Sequence, residues 1–380
     1  MSAVSRTLCW ARDRLAITGW RLAAGVHDVV GRFRLLGLLQ RLRSLLPAKR
    51  RRAERAHAAA TAILVDVRGK LEPGPWRLYE MMPTDGDVAV MGTGPATDPS
   101  RALIKIAETP AAAEGLECQR KVLVALHAEE RLGEWRRLIP RVIDAGESGG
   151  IAYLIEERLP GTSLEHALAR PALRDAALRA AVEAIGQLHR VTARETTAGH
   201  EILERCVSDP LRVVGVAVRH FRESGRALAV LGCVSDRLRE ALEGQAITLS
   251  WVHGDYWPGN ILAGPDGRLT AIVDWEYAHP DDLSLLDIVN FFITVRMCFR
   301  RQELGHVVAD LVANATWTEA EAQLVALAQN GQVSGTIGIE AMVLLCWLRH
   351  VASMITRRSA FAEHSLWMHA NVHTVLDSLA

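Results

Sequence analysis

The chain has 380 residues, 49% of them hydrophobic and 23% charged, with 44 Lys and Arg matched by 44 Asp and Glu. This composition is ordinary for a globular protein, is long enough for two lobes with real cores, and excludes a collagen-like or intrinsically disordered chain. The zero net charge hides an asymmetry, because residues 1–60 carry 13 basic against 3 acidic side chains and the remaining 320 carry 31 against 41.

The basic segment comes first. Leu15 to Leu46 has helical spacing, with Trp20, Val26, Val29, Val30, Phe33, Leu36, Leu39, Leu42 and Leu45 set among arginines; Pro47 stops it and Lys49-Arg50-Arg51-Arg52 follows. A basic amphipathic helix suits an anionic membrane surface, a partner's groove, or the acidic body of its own chain. Nucleic acid would match the charge, but no recognised binding module accompanies it. Residues 1–60 are therefore expected to form a separate helical extension.

Residues 61–160 are expected to form a small lobe. Asp87 to Met91 predicts a strand, Gly92 through Gly94 to Ser100 a loop, and Ala102 to Ala107 a returning strand. Lys105 is the lone charge in that strand. Alternation sets it beside Leu103 on one face, with Ile104 and Ile106 on the other, an apolar-lined position suited to a charge contact with phosphate. Ala111 to Ala128 predicts a helix with Leu116, Val122, Leu123 and Leu126 as its apolar stripe and Glu114 and Glu117 on one face. Arg141 to Ala145 and Ala152 to Glu156 form a strand pair around Glu147-Ser148-Gly149-Gly150, and Thr162-Ser163-Leu164-Glu165 starts a capped helix.

Residues 161–380 read as mostly helical. Arg174 to Val191 is a periodic helix ending in Leu188-His189, whose imidazole is read as a buried structural group, and Glu319 to Ala328 and Ile337 to Ile355 are the clearest later helices. Between them lies a hairpin. His253-Gly254-Asp255 leads through Tyr256, Trp257, Pro258 and Gly259 to Asn260-Ile261-Leu262, then Gly264-Pro265-Asp266-Gly267 turns the chain and Leu269 to Val273 returns it to Asp274-Trp275-Glu276. That return sets Asp274 beside Asn260. Phosphoryl transfer to a hydroxyl needs a carboxylate for the hydroxyl proton and oxygen ligands for magnesium, and Asp255, Asn260 and Asp274 supply both. His253 either handles a proton or holds the loop through the backbone.

This pattern, with four residues between Asp255 and Asn260 and a later Asp, resembles the aminoglycoside phosphotransferase and choline kinase family, the small-molecule branch of the protein-kinase-like fold. The resemblance spans roughly residues 87–290. It implies an α+β, two-lobed architecture with a small antiparallel-sheet lobe and a mostly helical large lobe. It further implies Asp255 as catalytic base, Asn260 and Asp274 as ligands of Mg2+, and Lys105 as the lysine contacting the phosphates of ATP. Gly92 and Gly94 would belong to the nucleotide loop. The backbone of Glu157, Arg158 and Leu159, within a Tyr153 to Gly161 hinge, would face adenine. Asp287 in Pro280 to Ile288 would brace the catalytic loop, a position also favourable at a helix start. The family's helix glutamate falls seven residues before the final Leu, which here is Gln119; Glu117 is taken as the partner of Lys105, with a surface pair to Lys121 as its other use.

The expected activity is ATP- and Mg-dependent phosphorylation of a small-molecule hydroxyl, on an aminoglycoside-, choline- or sugar-like acceptor. Two alternatives remain: a catalytically silent nucleotide-binding or scaffold protein with this fold, and a metal-dependent hydrolase using His253, Asp255, Asp274 and His279 as ligands. Six cysteines without paired spacing argue against a zinc or disulfide framework and for a reducing interior. No secretory signal and no window of about 18 charge-free apolar residues is evident. A cytoplasmic enzyme, peripheral at a membrane surface if residues 1–60 engage one, is expected.

Overall fold

The computed structural model describes residues 47–71, 74–82, 84, 87–221, 224–314, 317–329, 337–357 and 360–380. The expected helix from Leu15 to Leu46 lies outside the described residues.

Alternation in two strands organises the small lobe. β1 (Trp76–Met82), β2 (Val88–Pro95), β3 (Ala102–Ala107), β4 (Val142–Ser148) and β5 (Ile151–Glu157) form an antiparallel sheet in the order β1-β2-β3-β5-β4. Ala102, Ile104 and Ile106 of β3 and Tyr153 and Ile155 of β5 point to one face, where α1 (Pro47–Asp66) buries Ala56, Ala60, Ile63 and Leu64 against them. The opposite face carries Leu103, Lys105, Leu154 and Glu156. Against it lies α2 (Pro110–Ala128), started by the Thr109 side-chain cap and Pro110 and burying Leu116, Gln119, Leu123 and Leu126.

α1 moves the expected boundary at residue 60. The helix runs through it, and its alanines and leucines complete the core behind the sheet. Arg52 bonds Glu108 at 2.6 Å, Lys70 sits 3.5 Å from Asp144, and Ser148 bonds Asp66, so basic and acidic groups also tie this segment to the lobe. The extension packs on its own chain from Arg52 onward.

Two small sheets shape the start of the large lobe. β6 (Thr162–Ser163), β9 (Ile261–Ala263) and β10 (Leu269–Ile272) form one, in the order β10-β9-β6. β7 (Arg194–Thr197), β8 (Ala246–Val252) and β11 (His279–Leu283) form the other, with β8 central. The rest is helical: α3 (Pro171–Thr192), α4 (Asp209–Val218), α5 (Ser224–Leu242), α6 (Leu285–Arg300), α7 (Leu304–Asn314), α8 (Glu319–Ala328) and α9 (Ile339–Arg357), with shorter turns between and after them. α8 opens on a Thr318 and Glu321 capping box. By length and composition α9 could cross a membrane, yet Met342 through Leu348, Val351 and Ala352 are buried inside the lobe. Its apolarity is that of a core helix.

Trp275 joins the hairpin to a second apolar cluster, with Trp135, Tyr256 and Phe291. It is fully buried, donates its indole N–H to the Ile272 carbonyl at 2.8 Å, and meets Trp135 edge-on with ring centroids 6.1 Å apart. Trp275→Ala is expected to destabilise the large lobe by about 3–5 kcal/mol, read as a lowered denaturant midpoint.

Candidate active site

β8 ends at Val252 and the chain turns through His253-Gly254-Asp255. Gly254 has φ of 78°, and a Cβ there would overlap the Tyr277 carbonyl oxygen where the chain returns toward β11. Only glycine fits this crossing. The freed backbone N–H groups go to one carboxylate: Asp287, in the first turn of α6, accepts from His253 N–H at 2.7 Å and from Gly254 N–H at 2.9 Å. His189 Nε2 donates to the same carboxylate at 3.1 Å from the last turn of α3. Burial works against ionisation of Asp287, but the His189 hydrogen bond and its other donors outweigh burial and hold its pKa below the ordinary carboxylate value.

His253 is fully buried. Its Nδ1 accepts the Asp255 N–H at 3.3 Å, so Nε2 carries the proton and donates to the Val273 carbonyl at 2.9 Å. Trp275 and Tyr256 flank the ring, with centroids 4.5 and 5.8 Å away. Both nitrogens are committed to backbone, which of the two expected uses leaves His253 as a pin between the loop and the segment after the hairpin strand. It also removes His253 from any set of metal ligands, and His279 Nδ1 accepts the Asp281 N–H at 3.1 Å. Among the described residues no group of three or more His, Cys, Asp and Glu is gathered to hold a metal.

The hairpin brings the remaining motif residues together. β9 pairs with β10 through Ile261 and Ile272, and Val273 N–H donates to the Asn260 carbonyl at 2.9 Å. Asn260 Nδ2 donates to the Asp255 carbonyl at 3.0 Å and to Asp255 Oδ2 at 3.1 Å, which fixes the half-buried Asp255 carboxylate. Asp274 follows in the left-handed region at φ of 64°, one of the residue types that tolerates it. This twist turns the carboxylate out of the strand, and its Oδ1 meets Lys105 Nζ at 2.8 Å.

Lys105 is 5% exposed and has two further partners. Glu156 Oε1 lies 3.0 Å away on the neighbouring strand, and the side-chain oxygen of Gln119 accepts from the ammonium at 3.2 Å. Gln119 also donates Nε2–H to Glu156 Oε2 at 2.8 Å. Burial opposes the ammonium, but Asp274 and Glu156 outweigh it and raise the Lys105 pKa. Lys105 in turn holds the Asp274 pKa below its ordinary value, whereas burial pushes Glu156 up despite the lysine.

Glu117 is not part of this cluster. It faces solvent and pairs with Arg120 at 2.7 Å and Lys121 at 3.5 Å along its own helix, so the expected ion pair with Lys105 is corrected to Glu156. Gly92 and Gly94 likewise lie in β2, paired with Leu103 of β3 and Arg77 of β1, rather than in a loop. The turn from Ala96 to Arg101 folds back so tightly that a Cβ on Gly94 would overlap the Asp98 carbonyl. At the hinge, Glu157 and Arg158 donate their N–H groups to the carbonyls of Arg141 at 2.8 Å and Arg101 at 3.1 Å. An adenine edge would have to use hinge carbonyls or the Leu159 N–H. The Arg158 guanidinium reaches back to Glu80 on β1 at 2.6 Å.

Glu156, Gln119 and His189 are the members that sequence reasoning left outside the site. A signal existed for Glu156, since an acid inside the buried run of β5 calls for a partner as much as the lone lysine of β3 does.

Asp287→Asn tests the brace. A carboxylate whose folded pKa is lowered contributes stability above its unfolded pKa and loses it as pH falls through the folded value. Wild type is therefore expected to lose more unfolding free energy than the variant as pH falls below about 4, measured by denaturant titration at each pH.

Several solved structures resemble the chain. An aminoglycoside-3'-phosphotransferase of type VIII is 19% identical, with 76% of this chain and 97% of that one covered and a TM-score of 0.48. An aminoglycoside phosphotransferase from Streptomyces rimosus, in complex with ADP and streptomycin, is 17% identical, with 71% and 97% covered and a TM-score of 0.41. A glucosamine kinase is 16% identical, with 81% and 95% covered and a TM-score of 0.40. No curated protein sequence matches. The model of the phosphotransferase enzyme family matches residues 93–325, from the end of β2 through the hairpin to α8. With that match across more than half its length, and with the motif residues joined as described, the chain belongs to the phosphotransferase enzyme family.

Proposed function

We propose that this phosphotransferase moves the terminal phosphoryl group of ATP, with Mg2+, to a hydroxyl of a small molecule. The observation that carries the reading is the Lys105–Asp274 contact at 2.8 Å beside an Asp255 carboxylate held by Asn260. A phosphate-binding cation, a candidate base and two oxygen ligands are thereby gathered by a single hairpin and the strand above it.

The donor set suits magnesium. Asn260 commits its amide N–H to Asp255 and Asp274 commits Oδ1 to Lys105, so each keeps one side-chain oxygen with no protein donor among the described residues. Hard oxygen atoms in small number are what Mg2+ takes when phosphates complete its shell, and bound there it would neutralise charge on the phosphate oxygens. Lys105 adds a fixed positive charge for the phosphates. Asp255 Oδ1 is the oxygen that Asn260 does not hold, and it takes the acceptor's proton as the hydroxyl oxygen bonds the γ-phosphorus and the bond to the β-phosphate oxygen breaks, releasing ADP.

The silent-scaffold reading draws on the doubtful helix glutamate and on the basic extension; Glu156, with a carboxylate 3.0 Å from Lys105, speaks against the first of these grounds. ATP turnover against a panel of aminoglycosides, choline and amino sugars should detect an acceptor, and Asp255→Ala should lower kcat by about 10²–10⁴-fold. Turnover that survives the substitution would falsify the assignment of Asp255, and nucleotide-dependent stabilisation with no turnover on any acceptor would favour the silent reading.

A further inference from the structure

We propose that Glu156 is the positioning residue for Lys105, taking over from the strand the task that the family resemblance assigns to a glutamate on α2. The inference rests on the phosphotransferase reading above and deepens it.

The sheet itself sets the distance. β3 and β5 pair antiparallel with Lys105 opposite Leu154 and Leu103 opposite Glu156, so Lys105 and Glu156 are diagonal neighbours on the face turned away from α1. Ladder hydrogen bonds hold them in register, and the 3.0 Å contact follows from that register rather than from how α2 is seated. α2 has no carboxylate to offer. Its two acids, Glu114 and Glu117, are exposed, and the position facing the lysine is Gln119.

The choice of glutamine has a physical reason. An amide can accept from Lys105 through its oxygen and donate to Glu156 through its nitrogen, which is what Gln119 does at 3.2 and 2.8 Å. A glutamate at 119 would set a second carboxylate against Glu156 in a pocket where both side chains are nearly water-free. Residues 119 and 156 thus hold complementary halves of one anchor, with the charge on the strand. Glu156 also shares the ammonium with Asp274. Without it, Asp274 would be the only carboxylate beside the ammonium, and Lys105 would compete directly with a metal for it.

The test is MgADP titration by calorimetry on the full chain, with thermal unfolding as the check on folding. Glu156→Gln is expected to weaken MgADP at least about tenfold and to raise the Mg2+ concentration needed for half-maximal binding. Gln119→Glu alone is also expected to weaken it, by crowding two carboxylates. The exchanged double variant, Glu156→Gln with Gln119→Glu, restores one amide and one carboxylate and is expected to bind within about threefold of wild type. Unchanged binding in Glu156→Gln overturns the proposal. Should Glu156→Gln not fold, the double variant decides: near-wild-type binding supports the role, while a folded double variant that still binds poorly, or loss of folding in both, shows that Glu156 serves the fold and not the lysine. Wild-type protein with no affinity for MgADP would overturn the nucleotide reading and this inference with it.

Discussion

A lysine ammonium taken out of water must be surrounded by compensating groups, and the placement of Lys105 imposes that demand on both lobes. Glu156 answers from the adjacent strand, Gln119 from α2, and Asp274 from the hairpin of the large lobe. The cluster therefore does more than neutralise a charge. It ties the sheet that carries the lysine to the segment that carries the other motif residues, across a chain separation of 169 residues. Displacing the hairpin would leave Lys105 with Glu156 as its one remaining carboxylate partner in the cluster.

Asp287 plays a comparable part within the large lobe. One carboxylate gathers two backbone N–H groups of the His253-Gly254-Asp255 turn and a histidine from α3, so the turn, α6 and α3 meet at a single anionic point. His253 extends the connection to β10 through Val273, and Asn260 closes it back onto Asp255. The geometry of the Asp255 carboxylate is thus fixed by the groups around it. Preorganisation of this kind lets a half-buried Asp keep one defined orientation.

The hairpin was legible because its information is local: a Gly-Pro-Asp-Gly turn, short β-branched strands and fixed spacings among Asp255, Asn260 and Asp274. The two faces of β3 were equally readable from alternation. What stayed hidden depended on contacts between distant segments. Gly92 and Gly94 read as loop residues because glycine commonly marks turns, yet here they continue β2, and at Gly94 a folded-back turn leaves no room for a side chain. β1 carries no clean alternation and escaped notice, and α1 was divided at residue 60 because charge, not burial, was the visible signal. Glu117 was taken and Glu156 left out because a helix partner could be counted along the chain, whereas a strand partner requires knowing that β3 lies beside β5 in one particular register.

The exchange of amide and carboxylate between positions 119 and 156 bears on how such sites can drift. A single amide-for-carboxylate or carboxylate-for-amide substitution at either position would leave the lysine pocket with one carboxylate too few or too many. The two positions lie 37 residues apart in the chain and in contact in the fold. A pattern that requires the helix glutamate would pass over the carboxylate that Glu156 sets beside Lys105.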